Sequence, residues 1–344
     1  MSPTIFMIIM SSLATGTIIT MVSHHWLMAW IGLEINTLAI IPAISSTHNP
    51  RATEAATKYF LTQAAASALI LLSSMANAWQ TGAWDITNSM ATPTHLVLTL
   101  ALAMKLGLAP AHFWVPEVLQ GSTMVTALII TTWQKLAPMA LIALTMNSLS
   151  TVLLMTLGVL SSIVGGWGGL NQTQTRKIMA YSSIAHLGWM VTISSIMMNI
   201  MILNLVLYLI MTTALFSFLI LSESKTIKDT TMTWSFSPMA ASMMMVTLLS
   251  LGGLPPLTGF TPKWLILEEL ISQSLMPAAA VMAASTLLSL FFYLRLTYVA
   301  TLTLSPNTAQ MKFKWRFKPN NPPLLMMLST MSAFLLPMAP LMML

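Results

Sequence analysis

Runs of about 20 uninterrupted apolar residues follow one another along almost the whole chain, joined by short polar connections. As a helix, a run of that length matches the hydrocarbon thickness of a bilayer. Lipid offers backbone amides no partner, so a spanning segment must be a helix or part of a closed barrel. The runs are continuous rather than alternating, which selects helices. Composition agrees: 56% of the 344 residues are hydrophobic and 6% are charged, against roughly 25% charged in a soluble domain. The fold class expected is an all-α, polytopic membrane protein of about eleven transmembrane helices. The spans read as 3–22, 26–44, 56–78, 93–120 (broken), 123–146, 149–168, 176–197, 200–221, 239–270 (broken), 277–300 and 322–343. Only 301–321 is long enough to be a real loop.

The basic residues sort by side. Arg51, Lys58, Arg176, Lys177, Lys225, Lys228, Lys312, Lys314, Arg316 and Lys318 flank loops after even-numbered spans, with Arg295 near the end of its own span. Loops after odd-numbered spans carry neither Lys nor Arg. By the positive-inside rule the even loops and the N-terminus face the cytoplasm or matrix. Three basic residues remain, Lys105, Lys135 and Lys263, and all three fall within spans. The chain has no cysteine, so disulfides, iron–sulfur clusters and thiolate metal sites are not expected on it. No signal or Arg-rich transit segment is expected before the first span. The 32 methionines fit a genetic code in which an isoleucine codon reads as Met, as in animal mitochondria, or Met used as flexible packing filler.

An internal repeat marks the two broken spans. Residues 107–116 read GLAPAHFWVP and 253–262 read GLPPLTGFTP, both fitting G-L-x-P-x5-P. The fourth and the ninth are five spans apart, an odd number, so the copies run in opposite directions. Inverted repeats with an interrupted helix in each half are a transporter architecture with binding near the midplane. The expected organisation is one membrane domain, with 1–146 as the first repeat half, 147–300 as the second, and 301–344 as a basic loop and C-terminal span.

Lys105 precedes the first break in the middle of an apolar run. A lysine and interrupted backbone are both costly in lipid, so their coincidence points to a site. Low dielectric disfavours the ammonium, so a buried lysine can give up and regain a proton, as arginine cannot. The plain alternative is snorkelling to an interface. Glu34, in AWIGLEINTLAIIPAI, is the acidic residue deep in the first three spans. It needs a cationic partner, for which Lys105 is the economical choice, or a proton. Lys135 lies three residues before Pro138, and Lys263 directly follows Pro262, so both sit beside disrupted backbone. For Lys263 the plain alternative is a surface pairing with Glu268 or Glu269. His112, between the break prolines, and His186, mid-span in MAYSSIAHLGWMV, suit a proton relay or neutral packing equally. His24, His25 and His48 read as interfacial, and no pair has metal-site spacing.

Other motifs read as structural. GGWGG at 165–169 is a closely packed helix end rather than a phosphate loop. Glu54 and Lys58 form an i,i+4 surface pair. The run KFKWRFK at 312–318 lies on the positive side of a span and favours anionic lipid or a partner subunit over nucleic acid. Glu117 is a charge cap on the positive side or an end-point for protons, with the cap preferred.

KLGLAPAHFWVPEVLQG at 105–121, the Glu34 span, TTWQKLAPM at 131–139 and GGLPPLTGFTPKW at 252–264 together resemble the chain 2 family of mitochondrial NADH:ubiquinone oxidoreductase, respiratory complex I. The resemblance covers the whole chain. It implies an antiporter-like fold of inverted five-helix repeats, lacking three N-terminal spans that bacterial relatives have. It implies a core membrane subunit contributing a proton-translocation channel coupled to electron transfer from NADH to ubiquinone. By motif, Glu34 and Lys105 are the Glu–Lys pair, Lys135 the central lysine, and Lys263 the lysine of the second broken helix. His112 and His186 extend that axis. No cofactor is expected on this chain; NADH, FMN, iron–sulfur clusters and ubiquinone belong to other subunits. The implied partners are other membrane subunits of the complex and anionic lipids such as cardiolipin, without nucleic acid. The implied location is the mitochondrial inner membrane, with the N-terminus in the matrix and the C-terminus in the intermembrane space. A stand-alone cation/proton antiporter and a scaffold subunit that moves no protons stay open as alternatives.

Overall fold

The computed structural model describes residues 3–87, 92–302 and 323–338. Helix dominates these residues, and the extended pairings among them are two isolated bridges, His25 with Asp85 and Gln174 with Thr226. The first three predicted spans appear as α1 (Pro3–Val22), α2 (Trp26–Ile44) and α3 (Pro50–Thr81). α3 is 32 residues long, well beyond the predicted 56–78. Asn49 in extended backbone and Pro50 at the first helical position start it early, and Gly82 in left-handed backbone stops it. Its first turns are polar, carrying Arg51, Thr53, Glu54 and Lys58, so apolar runs alone do not register them.

The first broken span is α4 (Thr92–Leu106) followed by α5 (Trp114–Gly121). The fifth predicted span divides into α6 (Met124–Thr131) and α7 (Trp133–Thr145). Pro138 sits inside α7, and the interruption falls earlier, at Thr132. There the Thr131 and Thr132 hydroxyls donate to Ala127 O and Leu128 O, at 3.0 and 2.7 Å. Next come α8 (Thr151–Gly169), α9 (Thr175–Ser194), α10 (Met198–Leu221) and a short α11 (Thr233–Phe236). α12 (Pro238–Gly252) and α13 (Phe260–Ser272) are the halves of the second broken span; α14 (Met276–Leu302) and α15 (Pro323–Phe334) follow. Among the described residues, seven stretches are long and apolar enough to cross a membrane. Pro93–Leu106, Pro238–Gly252 and Leu325–Phe334 are shorter apolar helices. The basic run 312–318 lies outside the described residues.

Two compact units form. One holds residues 1–161 with 191–198, the other 162–190 with 199–344. In the first, α1 packs on α2 and α7, and α3 packs on α2, α4 and α5. In the second, α14 packs against α12 and α13. The GGWGG stretch ends α8 there in close contact. A Cβ on Gly165 would meet the Ala185 backbone at 2.5 Å, and one on Gly168 would run into the Tyr181 ring. Arg295 of α14 donates to Leu170 O at 2.6 Å and to Gln172 O, holding the end of α8.

Candidate functional site

Both breaks are built the same way, and the shared Gly-Leu pair is the reason. Gly107 and Gly253 have φ of +78° and +80°, the left-handed region where a Cβ is penalised. At the first break Gly107 N–H donates to Met104 O at 3.1 Å and Leu108 N–H to Ala103 O at 3.0 Å. At the second, Gly253 N–H donates to Ser250 O at 2.9 Å and Leu254 N–H to Leu249 O at 3.4 Å. This paired 5→2 and 6→1 pattern is the Schellman helix stop. The repeated motif thus ends a helix inside an apolar span twice.

A helix end leaves four carbonyls without intrahelical donors, and lipid supplies none. At the end of α4 each has a partner. Ala103 O takes the backbone bonds just given. Met104 O also accepts from Trp114 Nε1 at 3.2 Å. Lys105 O accepts from Gln63 Nε2 at 3.4 Å. Leu106 O accepts from Lys135 Nζ at 2.5 Å. An ammonium is favoured there, because the C-terminal end of a helix is the negative end of its dipole.

The lysine of α4 and the lysine of α7 line one cavity at this point. Lys105 is 4% exposed and Lys135 3%. Together they line a cavity about the size of one water, with Asn36, Tyr59, Gln63, Trp114 and Gln134. Lys105 Nζ is buried and makes no hydrogen bond. The Asn36 amide is buried with neither atom hydrogen-bonded. Gln134 Nε2 donates to Asn36 O at 3.3 Å, and Tyr59 OH approaches Gln134 Oε1 at 3.5 Å. Lys135 also lies 5.3 Å from the centre of the Trp114 ring. Snorkelling does not describe either lysine: both are buried in the protein, Lys135 on Leu106 O and Lys105 in the cavity wall.

Glu34 lies within electrostatic reach of Lys105 and of Tyr59. Its carboxylate accepts from Thr37 Oγ1 at 3.1 Å. Among the described residues the ion pairs within 4.0 Å are Lys58 with Glu54, at 2.5 Å, and Lys58 with Glu117, at 2.6 Å. So Glu34 and Lys105 share one region without touching. The same surface triad gives Glu117 a lysine partner.

His112 sits in the break itself, 7% exposed. Its ring packs 4.2 Å from Phe113, and Nδ1 lies 3.2 Å from Pro110 O. It does not line the lysine cavity. The second unit carries the remaining candidates. Lys263 Nζ donates to Gly252 O at 2.8 Å, the last carbonyl of α12. A Cβ on Gly253 would strike the Lys263 side chain at 2.8 Å, so glycine there is what lets the amine reach. Lys263 forms no ion pair with Glu268 or Glu269. His186 is 7% exposed, its ring lies tilted 5.5 Å from that of Tyr208, and it is within electrostatic reach of Lys263. In both units, then, a lysine amine occupies the end of the first half of a broken helix. In the first it comes from the next span, in the second from the other half of the same span.

Tyr59, Gln63, Trp114, Gln134 and Asn36 were not singled out from sequence. The available signal was the presence of three amides, Asn36, Gln63 and Gln134, inside apolar spans. Among the described residues no cluster of three or more metal-ligating side chains occurs.

Comparison with known proteins came out consistently. Residues 23–291 match the family described as NADH:quinone oxidoreductase/Mrp antiporter, TM. Residues 290–343 match NADH dehydrogenase subunit 2 C-terminus. NADH-ubiquinone oxidoreductase chain 2 of Varanus timorensis is 57% identical and that of Xenopus laevis 54%, each over 99% of both chains. Among solved structures, a chain of respiratory complex I from Thermus thermophilus with bound Aureothin is similar at a TM-score of 0.83 and 26% identity. That match covers 97% of this chain and 79% of that one. A chain of the Mrp complex from Dietzia sp. DQ12-45-1b is similar in fold, at a TM-score of 0.76 and 16% identity, over 87% of this chain and 61% of that one.

Proposed function

We infer, since the chain belongs to the NADH-ubiquinone oxidoreductase chain 2 family, that it is a core membrane subunit of respiratory complex I and carries a proton-transfer step between Lys105 and Lys135. One observation carries the reading: two buried lysines line one small cavity at the end of a broken helix, and among the described residues no carboxylate is in ion-pair contact with either. Two ammonium ions in so small a space repel each other, and burial penalises both. One mobile proton shared between the two amines is the economical charge state.

Glu34 selects which amine holds it. With its carboxylate near Lys105, the ammonium form of Lys105 is favoured. When the carboxylate is drawn away, an N–H bond at Lys105 Nζ breaks and one forms at Lys135 Nζ. Lys135 is then the cation, held by Leu106 O at the negative helix end. The present arrangement fits the state after transfer: Glu34 bonded to Thr37, Lys105 without a hydrogen bond, Lys135 docked. Moving one charge against 100 mV costs about 2.3 kcal/mol, a scale that re-pairing of buried charges can meet. Lys263 and His186 are assigned the corresponding role in the second unit, and His112 a polar flank of the first break.

The chain is a multi-pass inner-membrane protein of mitochondria. We place its N-terminus in the matrix and its C-terminus in the intermembrane space on the segregation of its basic residues. The redox groups are assigned to other subunits of the complex, and anionic lipid such as cardiolipin to the 312–318 run. The test is the proton-to-electron ratio of NADH-energised proteoliposomes carrying a Lys105→Met complex. The ratio is expected to fall in a complex that assembles normally, and an unchanged ratio refutes the assignment.

A further inference from the structure

The indole of Trp114 belongs to both halves of the first break. It is the first residue of α5, yet its N–H bonds Met104 O, near the end of α4. The ring also packs against Gly107: a Cβ there would come within 3.2 and 3.3 Å of the indole carbons. Tyr59 backs the ring edge-on, at 5.7 Å and 67°. With its edge fixed on Met104 and its flank against Tyr59, the indole presents a face to the Lys135 ammonium, 5.3 Å from the ring centroid. That distance is inside the range of a cation–π contact.

Lys135 is held by unusual means for a buried cation. Among the described residues no carboxylate pairs with it. Its fixed partners are one carbonyl, Leu106 O, and the Trp114 face. A carbonyl accepts a hydrogen bond from a neutral amine as well as from an ammonium. The π face distinguishes them, because its quadrupole attracts only the charged form.

We propose that Trp114 is a positioning residue for proton transfer: it ties α5 to the end of α4 and supplies the face that holds Lys135 as a cation. The inference rests on the Lys105-to-Lys135 reading above and adds the group that fixes how tightly the acceptor keeps its proton. Within complex I, Trp114→Leu removes the face and the N–H; Trp114→Phe removes the N–H and keeps a smaller face.

The experiment measures the proton-to-electron ratio of the assembled variants in NADH-energised proteoliposomes as a function of pH, beside Lys135→Met. In Trp114→Leu the pH at which the ratio falls by half is expected about one unit more acid, a tenfold weaker hold on the proton. Trp114→Phe, which keeps the bulk of the ring and decides the matter if the leucine variant does not assemble, is expected to shift by a smaller amount in the same direction. A purely structural role changes yield and leaves that midpoint where it is. If Lys135→Met lowers the ratio while the phenylalanine and leucine profiles stay on the parent curve, the inference about Trp114 is overturned and the lysine reading survives. If Lys135→Met also leaves the ratio unchanged, both are overturned.

Discussion

Alanine at Gly107 separates the steric demand of the break from its backbone demand, because the chain contains its own control. Gly107 and Gly82 have almost the same φ, +78° and +73°. Either alanine would incur the left-handed penalty, roughly 1–2 kcal/mol. Around Gly82 a new Cβ meets nothing within 4 Å. At Gly107 it would meet Val115 Cγ2 at 2.5 Å, with the Trp114 ring close behind. Val is stiff at χ1 and the indole is pinned at both edge and flank, so neither yields cheaply. Forcing a methyl into a packed interior costs typically about 1–3 kcal/mol. The expected total is therefore about 1–2 kcal/mol for Gly82→Ala and about 2–5 kcal/mol for Gly107→Ala. The assay is the amount of assembled complex on native gels together with its thermal half-life, both alanines made in the same background. Gly107→Ala is expected to lose clearly more on both scales. Equal losses would mean that Val115 and the Trp114 ring do not crowd Gly107, and the description of the break would be wrong.

Three further outcomes follow from other contacts. Gly165→Ala places a Cβ 2.5 Å from the Ala185 backbone N, which cannot rotate away, so assembled complex is expected to drop by more than for Ala284→Gly, a change at an exposed position of α14. Arg295→Lys keeps the charge but not the fork that reaches Leu170 O and Gln172 O; one charged hydrogen bond lost is worth about 1.5–3 kcal/mol, read as faster proteolysis in the 169–175 connection. Glu34→Gln removes the charge that selects between the lysines, and its proton-to-electron ratio is expected to fall while Thr37→Val, which removes only a hydrogen bond to Glu34, is expected to retain more of it.

Much of the architecture was legible because lipid restricts it so strongly. Helix starts and stops in α1, α2 and α10 lie within two residues of the ends of the apolar runs. The Gly-Leu-x-Pro repeat marked both interruptions because a left-handed glycine and a following proline each stop a helix. Elsewhere the pattern ran out. Polar first turns hid the start of α3, and the interruption at Thr132 has no Gly or Pro to announce it. The burial of Lys105 and Lys135 followed from their placement in spans, but what receives each ammonium did not. Leu106 O is a backbone atom that exists as an acceptor only because the helix ends there. Trp114, in a chain with 11 tryptophans, carries no mark distinguishing it from Trp167, which is 71% exposed. The i,i+3 spacing put Thr37 beside Glu34, but nothing in the sequence told whether Lys105 would reach the same carboxylate.

Lys105→Arg puts the whole account at risk in one variant. Arginine keeps a positive charge in the cavity but does not release its proton in proteins. If the lysine works by passing a proton to Lys135, the proton-to-electron ratio of NADH-energised proteoliposomes must fall in Lys105→Arg as it does in Lys105→Met. A Lys105→Arg complex that pumps at the parent ratio would mean that only a fixed charge is needed there, and that no proton leaves this side chain.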